Sequence, residues 1–111
     1  MKLKKIIDEL GLKVITDAVS LDREVTGGYS GDILSEVIGN ADEGNIWITV
    51  QTHQYIVTVA VMKSLSAIIF ADGREPDIET VKKAEAEDVP ILQSDIPVFN
   101  LVGKLFQMGI S

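Results

Sequence analysis

The chain has 111 residues, 46% of them hydrophobic and 24% charged, with no cysteine and a formal net charge of −7. This length makes one domain, residues 1–111, that buries roughly two-thirds of its unfolded surface, and the composition excludes disorder. Without thiols there are no disulfides or thiolate metal sites, and the acidic balance argues against a broad nucleic-acid face while leaving room for a nucleotide held by backbone amides.

Leu3, Ile6, Ile7 and Leu10 recur at helical spacing, and Gly11 follows as the stop. Residues 12–16 read as a short strand, and 17–30 as an irregular stretch rich in Asp, Thr and Gly. A second helix opens at Gly31-Asp32, with Ile33, Leu34, Val37 and Ile38 on one face and Gly39 at its end. From residue 46 the pattern is regular. Strands at 46–50, 67–71 and 89–92 alternate with helices at 53–65, 77–87 and 95–108. Each helix is long enough to return the chain for a parallel strand. Thr52 is the expected cap of the first helix and Ser94 or Asp95 of the last, with Pro97 in that helix's first turn and Gly109 at its end. The helix at 77–87 points Ile78, Val81 and Ala84 inward and pairs Glu79 with Lys83. The fold expected is α/β, three layers with a mainly parallel sheet between helices.

The helix at 53–65 is assigned against propensity. Ile56, Val57, Thr58, Val59 and Val61 are β-branched, yet the stretch is too long for a buried strand. It is apolar nearly all round, so it needs cover on more than the sheet side, from the N-terminal helix or from a second chain in a homodimer. Its apolar run is too short to span a bilayer, and Asp8 and Glu9 interrupt the basic N-terminus too early for a signal peptide. A soluble, cytoplasmic protein without membrane association is expected. Trp47, between Ile46 and Ile48, reads as core or interface.

Polar side chains cluster at two strand ends. Thr49, Gln51, Thr52 and His53 close one strand and open a helix; Asp72, Gly73 and Arg74 close the next. Ligands of parallel α/β sheets bind at such carboxyl ends, where helix N-termini offer free N–H groups. A nucleotide or other anionic small molecule suits these groups, with Arg74 as counter-charge. The same residues also serve as caps and turns, with Thr52 on the helix, Thr49 and Gln51 on loop backbone and Asp72-Gly73 as a tight turn. His53 is the sole histidine, and no nucleophile–base pair can be assembled around it. Gly27-Gly28 and Gly31 match no phosphate-loop pattern, and Asp22, Glu24, Asp32 and Glu36 match no EF-hand. No cofactor and no metal site are expected.

Five stretches together carry a family resemblance: Leu21-Asp22-Arg23 with Val25, residues 31–35 (Gly-Asp-Ile-Leu-Ser), residues 48–53 (Ile-Thr-Val-Gln-Thr-His), residues 67–77 from Ala67 through Ala71-Asp72-Gly73-Arg74 to Asp77, and Val89-Pro90-Ile91-Leu92. In this order the chain resembles the DRTGG domain family, similar in fold to the N-terminal domain of HPr kinase/phosphorylase. The resemblance implies a sheet between helices, a tendency to dimerise and a regulatory role more than a catalytic one. The function expected is a non-catalytic, ligand-sensing homodimer acting on a metabolic or redox enzyme. The alternatives are a small phosphoryl- or acyl-transfer enzyme, against which the missing phosphate loop and nucleophile count, and a purely structural dimerisation domain.

Overall fold

A computed structural model describes residues Met1–Ser111. The elements run α1 (Leu3–Leu10), β1 (Lys13–Val14), β2 (Gly27–Ser30), α2 (Leu34–Asn40), β3 (Asn45–Thr49), α3 (Tyr55–Met62), β4 (Ala67–Phe70), α4 (Ile78–Ala86), β5 (Ile91–Gln93) and α5 (Val98–Gln107). The strands form one sheet in the order β1-β5-β4-β3-β2. The four strands from β2 to β5 are parallel neighbours, and β1 closes the far edge antiparallel to β5.

Period-two alternation in the strands divides the core in two. Ile46, Ile48, Ala67, Ile69 and Leu92 point to one face, where they pack with Leu3 and Ile6 of α1 and Leu101 and Leu105 of α5. Trp47, Ile68, Phe70 and Ile91 point to the other, against Val37 of α2, four residues of α3 and Ala84 of α4. The three consecutive crossovers thus share one face, and the two terminal helices cover the other. This is the α/β/α sandwich expected.

Helix α3 forms despite its β-branched residues. Ile56, Val57 and Val59 are buried, and each buried side chain of this size contributes roughly 1.5–3 kcal/mol. The propensity cost is at most about 0.7 kcal/mol per residue, so burial wins. The helix is shorter than the expected 53–65. Its cover comes from the sheet, α2 and α4, whereas α1 lies on the opposite side of the sheet. Val61 and Met62 stay exposed.

Several local readings need correction. Gly27–Ser30 is not irregular but a strand, because its backbone pairs with β3 even though two of its four residues are glycine. Residues 12–16 shorten to β1. Gly39 lies inside α2, which ends at Asn40. Ile33, Ile38 and Ile78, expected inward, are exposed, and the buried positions are Val37, Thr80 and Ala84. Lys83 does not pair with Glu79 but donates to the Thr58 hydroxyl at 2.6 Å, joining α4 to α3. Helix α5 begins only after Pro97, and neither Ser94 nor Asp95 caps it. The Ser94 hydroxyl instead accepts the Ile96 N–H at 3.1 Å.

Two polar ties fix the β2–α2 corner. The Trp47 indole N–H donates to the Gly31 carbonyl at 2.8 Å from within the core. One Asp32 carboxylate oxygen accepts both the Thr49 hydroxyl at 2.7 Å and the Val50 N–H at 2.9 Å. Thr49 is only 1% exposed, so its hydroxyl depends on Asp32. Asp32→Ala should therefore cost about 1–3 kcal/mol, the range for orphaning a buried polar group, while Asp32→Asn, which keeps an acceptor, should cost less. Urea denaturation of the two variants checks this, and equal stability of both with the parent would contradict it.

Candidate functional site

Parallel pairing of β3 with β4 brings the two polar turns to one end of the sheet. Thr49 is in register with Phe70, and the Ala71 N–H reaches the Thr49 carbonyl at 3.2 Å. The Thr80 hydroxyl in the first turns of α4 donates to the Thr52 carbonyl at 2.8 Å. The β3–α3 turn, with Gln51, Thr52 and His53, and the β4–α4 turn, with Asp72, Gly73 and Arg74, thus lie against each other. They form an open surface. The cavities of the molecule lie elsewhere, the most voluminous, about 780 Å³, along α5.

Within the first turn the side chains organise the backbone. The Thr49 hydroxyl accepts the Gln51 N–H at 3.0 Å, and the Gln51 side-chain carbonyl accepts the His53 N–H at 3.3 Å. His53 Nδ1 accepts the Tyr55 N–H at 3.2 Å. Helix α3 begins at Tyr55, and the expected cap, Thr52, makes no side-chain bond to it. His53 takes that part. The ring therefore keeps its proton on Nε2 when neutral and offers a donor to solvent, with its basic nitrogen already engaged. It takes no part in the ion pairs of the protein.

The second turn is tight. Asp72 and Gly73 both have positive φ, 57° and 68°, and the Arg74 N–H closes on the Ala71 carbonyl at 3.1 Å. Asp-Gly suits this geometry, since glycine adopts positive φ freely and Asp tolerates it. The Gln93 side-chain amide donates to the Gly73 and Arg74 carbonyls at 3.4 and 2.8 Å, steadying the turn from β5. The side chains of Asp72 and Arg74 are exposed and take no part in the ion pairs of the protein.

Sequence reasoning misses Tyr55. Its side chain is 60% exposed, and its ring lies 4.5 Å from that of His53, tilted by 40°. It reads as one more apolar residue of a hydrophobic helix; only its place at the first turn shows it to be an aromatic surface beside the polar cluster. The acidic residues that match no EF-hand have local partners. Asp22 pairs with Lys2, Glu24 with Lys2 and the N-terminal ammonium, and Asp32 with Thr49. The ammonium's hydrogen bond and charge, with a smaller contribution from Lys2, hold the Glu24 carboxyl below its ordinary value. A lowered value adds stability above the usual carboxylate range and loses it as pH falls through the lowered one. Glu24 is solvated, so this pair is a minor contributor.

No protein-family model matches the chain, and no curated protein matches it. Among solved structures it is similar to the regulatory region of Clostridium perfringens pyrophosphatase, comprising CBS and DRTGG domains and complexed with an activator, diadenosine tetraphosphate. The TM-score is 0.69 at 15% identity, covering 92% of this chain and 44% of that one. The chain thus spans less than half the length of that structure, and the likeness is one of fold. This chain's α/β fold, with its mostly parallel five-stranded sheet, is thus similar to that of a regulatory region, in keeping with the DRTGG-like fold expected from the sequence.

Proposed function

We propose that the protein is a non-catalytic, ligand-sensing regulatory module that binds a nucleotide or related anionic small molecule across the two turns, and that it works as a homodimer on a metabolic enzyme. The observation that carries this reading is the meeting of the β3–α3 and β4–α4 turns at the carboxyl edge of the sheet. Donors and acceptors there are complementary to a nucleoside phosphate. The Thr52 and Gln54 N–H groups have no acceptor within the protein, and Arg74 and the Nε2 proton of His53 point the same positive character outward. The Asp72 carboxylate suits sugar hydroxyls, and the exposed face of Tyr55 suits a base. The activator bound by the pyrophosphatase regulatory region is itself a dinucleotide, which favours this class of ligand here. A purely structural role leaves the unpaired arginine and amides without employment.

Thermal-shift measurements with mononucleotides, diadenosine tetraphosphate, acyl phosphates and CoA compounds test the binding. A ligand at a hundred times its Kd should add about 2.7 kcal/mol and raise Tm by about 10–20 °C for a domain of this size. Thr52→Ala combined with Arg74→Ala should weaken such a ligand at least about tenfold, the loss of one charge-assisted contact. Unchanged affinity in the double variant moves the ligand away from these turns.

The second outcome concerns chemistry. His53 Nδ1 is committed to the Tyr55 amide, so neither ATP nor an acyl phosphate should be turned over. A coupled phosphate-release assay reads this directly. Turnover that disappears in His53→Ala reverses the assignment in favour of a phosphoryl- or acyl-transfer enzyme.

A further inference from the structure

The exposed side of α5 carries the most uncovered apolar side chain of the chain. Phe99 is 87% exposed and Phe106 68%. Between them Gly103 has open space on its outer side, with no atom within 4 Å of where a Cβ would stand. A groove of about 780 Å³ runs there between Val98, Phe99, Val102 and Phe106. It adjoins a smaller apolar cavity of about 200 Å³ that reaches Gly28 and Ile110 beneath β2, and the two share Ser30, Val102 and Phe106. Strand β2 is the sheet's open edge. Its Gly31 N–H bonds to the Ile48 carbonyl, so strand alternation turns the backbone groups of Gly28 and Ser30 outward.

We propose that a second copy of this chain docks here, through the outer face of α5 and the edge of β2. This rests on the homodimer reading above and says which surface makes it. Three observations select a like chain as the occupant. The first is shape. Knobs, Phe99 and Phe106, and a hole, Gly103, lie on one helix four and three residues apart, so two α5 helices related by a two-fold axis can each seat a phenyl ring over the other's glycine. The second is charge. The chain carries −7 overall, yet α5 contains no acidic residue and one cation, Lys104. Two strongly acidic copies can approach through this face without opposing carboxylates. The third is area. A ten-residue helix is about 15 Å long, too little alone for the roughly 800 Å² per partner of a stable interface. The adjoining β2 edge extends it, and an antiparallel pairing of β2 with its copy about the same axis joins the two sheets and satisfies the outward Gly28 and Ser30 groups.

Light scattering and analytical ultracentrifugation of the full chain test this, with Phe99→Glu, Phe106→Glu and Gly103→Leu as variants and Ile78→Glu on α4 as control. The parent and the control should have about twice the 12.1 kDa chain mass at micromolar concentration. Each α5 variant should raise the dimer Kd at least about tenfold. Gly103→Leu is the discriminating one. It fills only open space and improves helix propensity, so Tm measured on the dilute monomer should rise while dimerisation weakens, which a folding defect cannot produce. A parent that is dimeric with all three variants unchanged overturns the α5 surface and leaves the homodimer reading in place. A parent monomeric at all concentrations overturns both, including the case in which a different protein covers this face.

Discussion

The structure depends on the double burial of β3 and β4. Every residue of both strands is buried, with Ile46, Ile48, Ala67 and Ile69 facing one way and Trp47, Ile68 and Phe70 the other. A sheet apolar on both faces has to be sandwiched, and the covering helices follow from that need. It also explains why α3 is a helix at all. A buried apolar helix packs on Trp47 and Phe70 where another strand would leave that face in water. The terminal helices α1 and α5 then have a single remaining place, on Ile46, Ile48 and Ile69.

The parallel arrangement has a second consequence. It gathers the carboxyl ends of successive strands, and with them the β2–α2, β3–α3 and β4–α4 turns, at one edge. Much of the polarity there is spent on the protein itself. Asp32 holds Thr49 and Val50, Thr49 holds Gln51, Gln51 holds His53, and His53 holds Tyr55. This chain of bonds fixes the path of the backbone without using Thr52, Asp72 or Arg74 side chains. A rigid turn that presents unengaged groups is the arrangement that binds with little ordering cost. The structural and ligand-binding readings of the cluster are therefore compatible: one subset of residues builds the turns and another faces outward.

The apolar residues divide in the same way. On α3, Ile56, Val57, Val59 and Ala60 are buried within the chain, so the helix that looks most in need of a partner is largely covered by its own domain. On α5, whose apolar residues are fewer, Leu101 and Leu105 suffice to pack on the sheet, and Phe99 and Phe106 remain outside. The number of apolar residues in a segment does not say which of them are left over; that depends on how many neighbours the helix has. Helix α3 lies between α2 and α4, whereas α5 sits beside an open sheet edge.

The sequence by itself determined the alternation of elements from β3 onward, the buried strands and the helical state of α3, because period and length survive whatever packs around them. It also placed polar groups at two strand ends. It did not disclose β2. Gly27 and Gly28 carry no side-chain pattern, and a strand of four residues is defined only by the partner whose carbonyls it meets. Helix limits were overrun at Thr52 and Asp95 and set one residue short at Gly39, because Thr, Gly and Asp also serve turns, and which use applies depends on neighbours distant in the chain. Asp32 showed this most plainly: in the sequence one of four acids that match no EF-hand, it becomes the anchor of Thr49 once β2 lies beside β3. Tertiary structure alone decided that His53 spends its basic nitrogen on Tyr55, that Lys83 turns to Thr58 and not to Glu79, and that the uncovered apolar face belongs to α5. Each of these is a competition between partners, and a sequence names the competitors while only the packed chain sets the distances that choose among them.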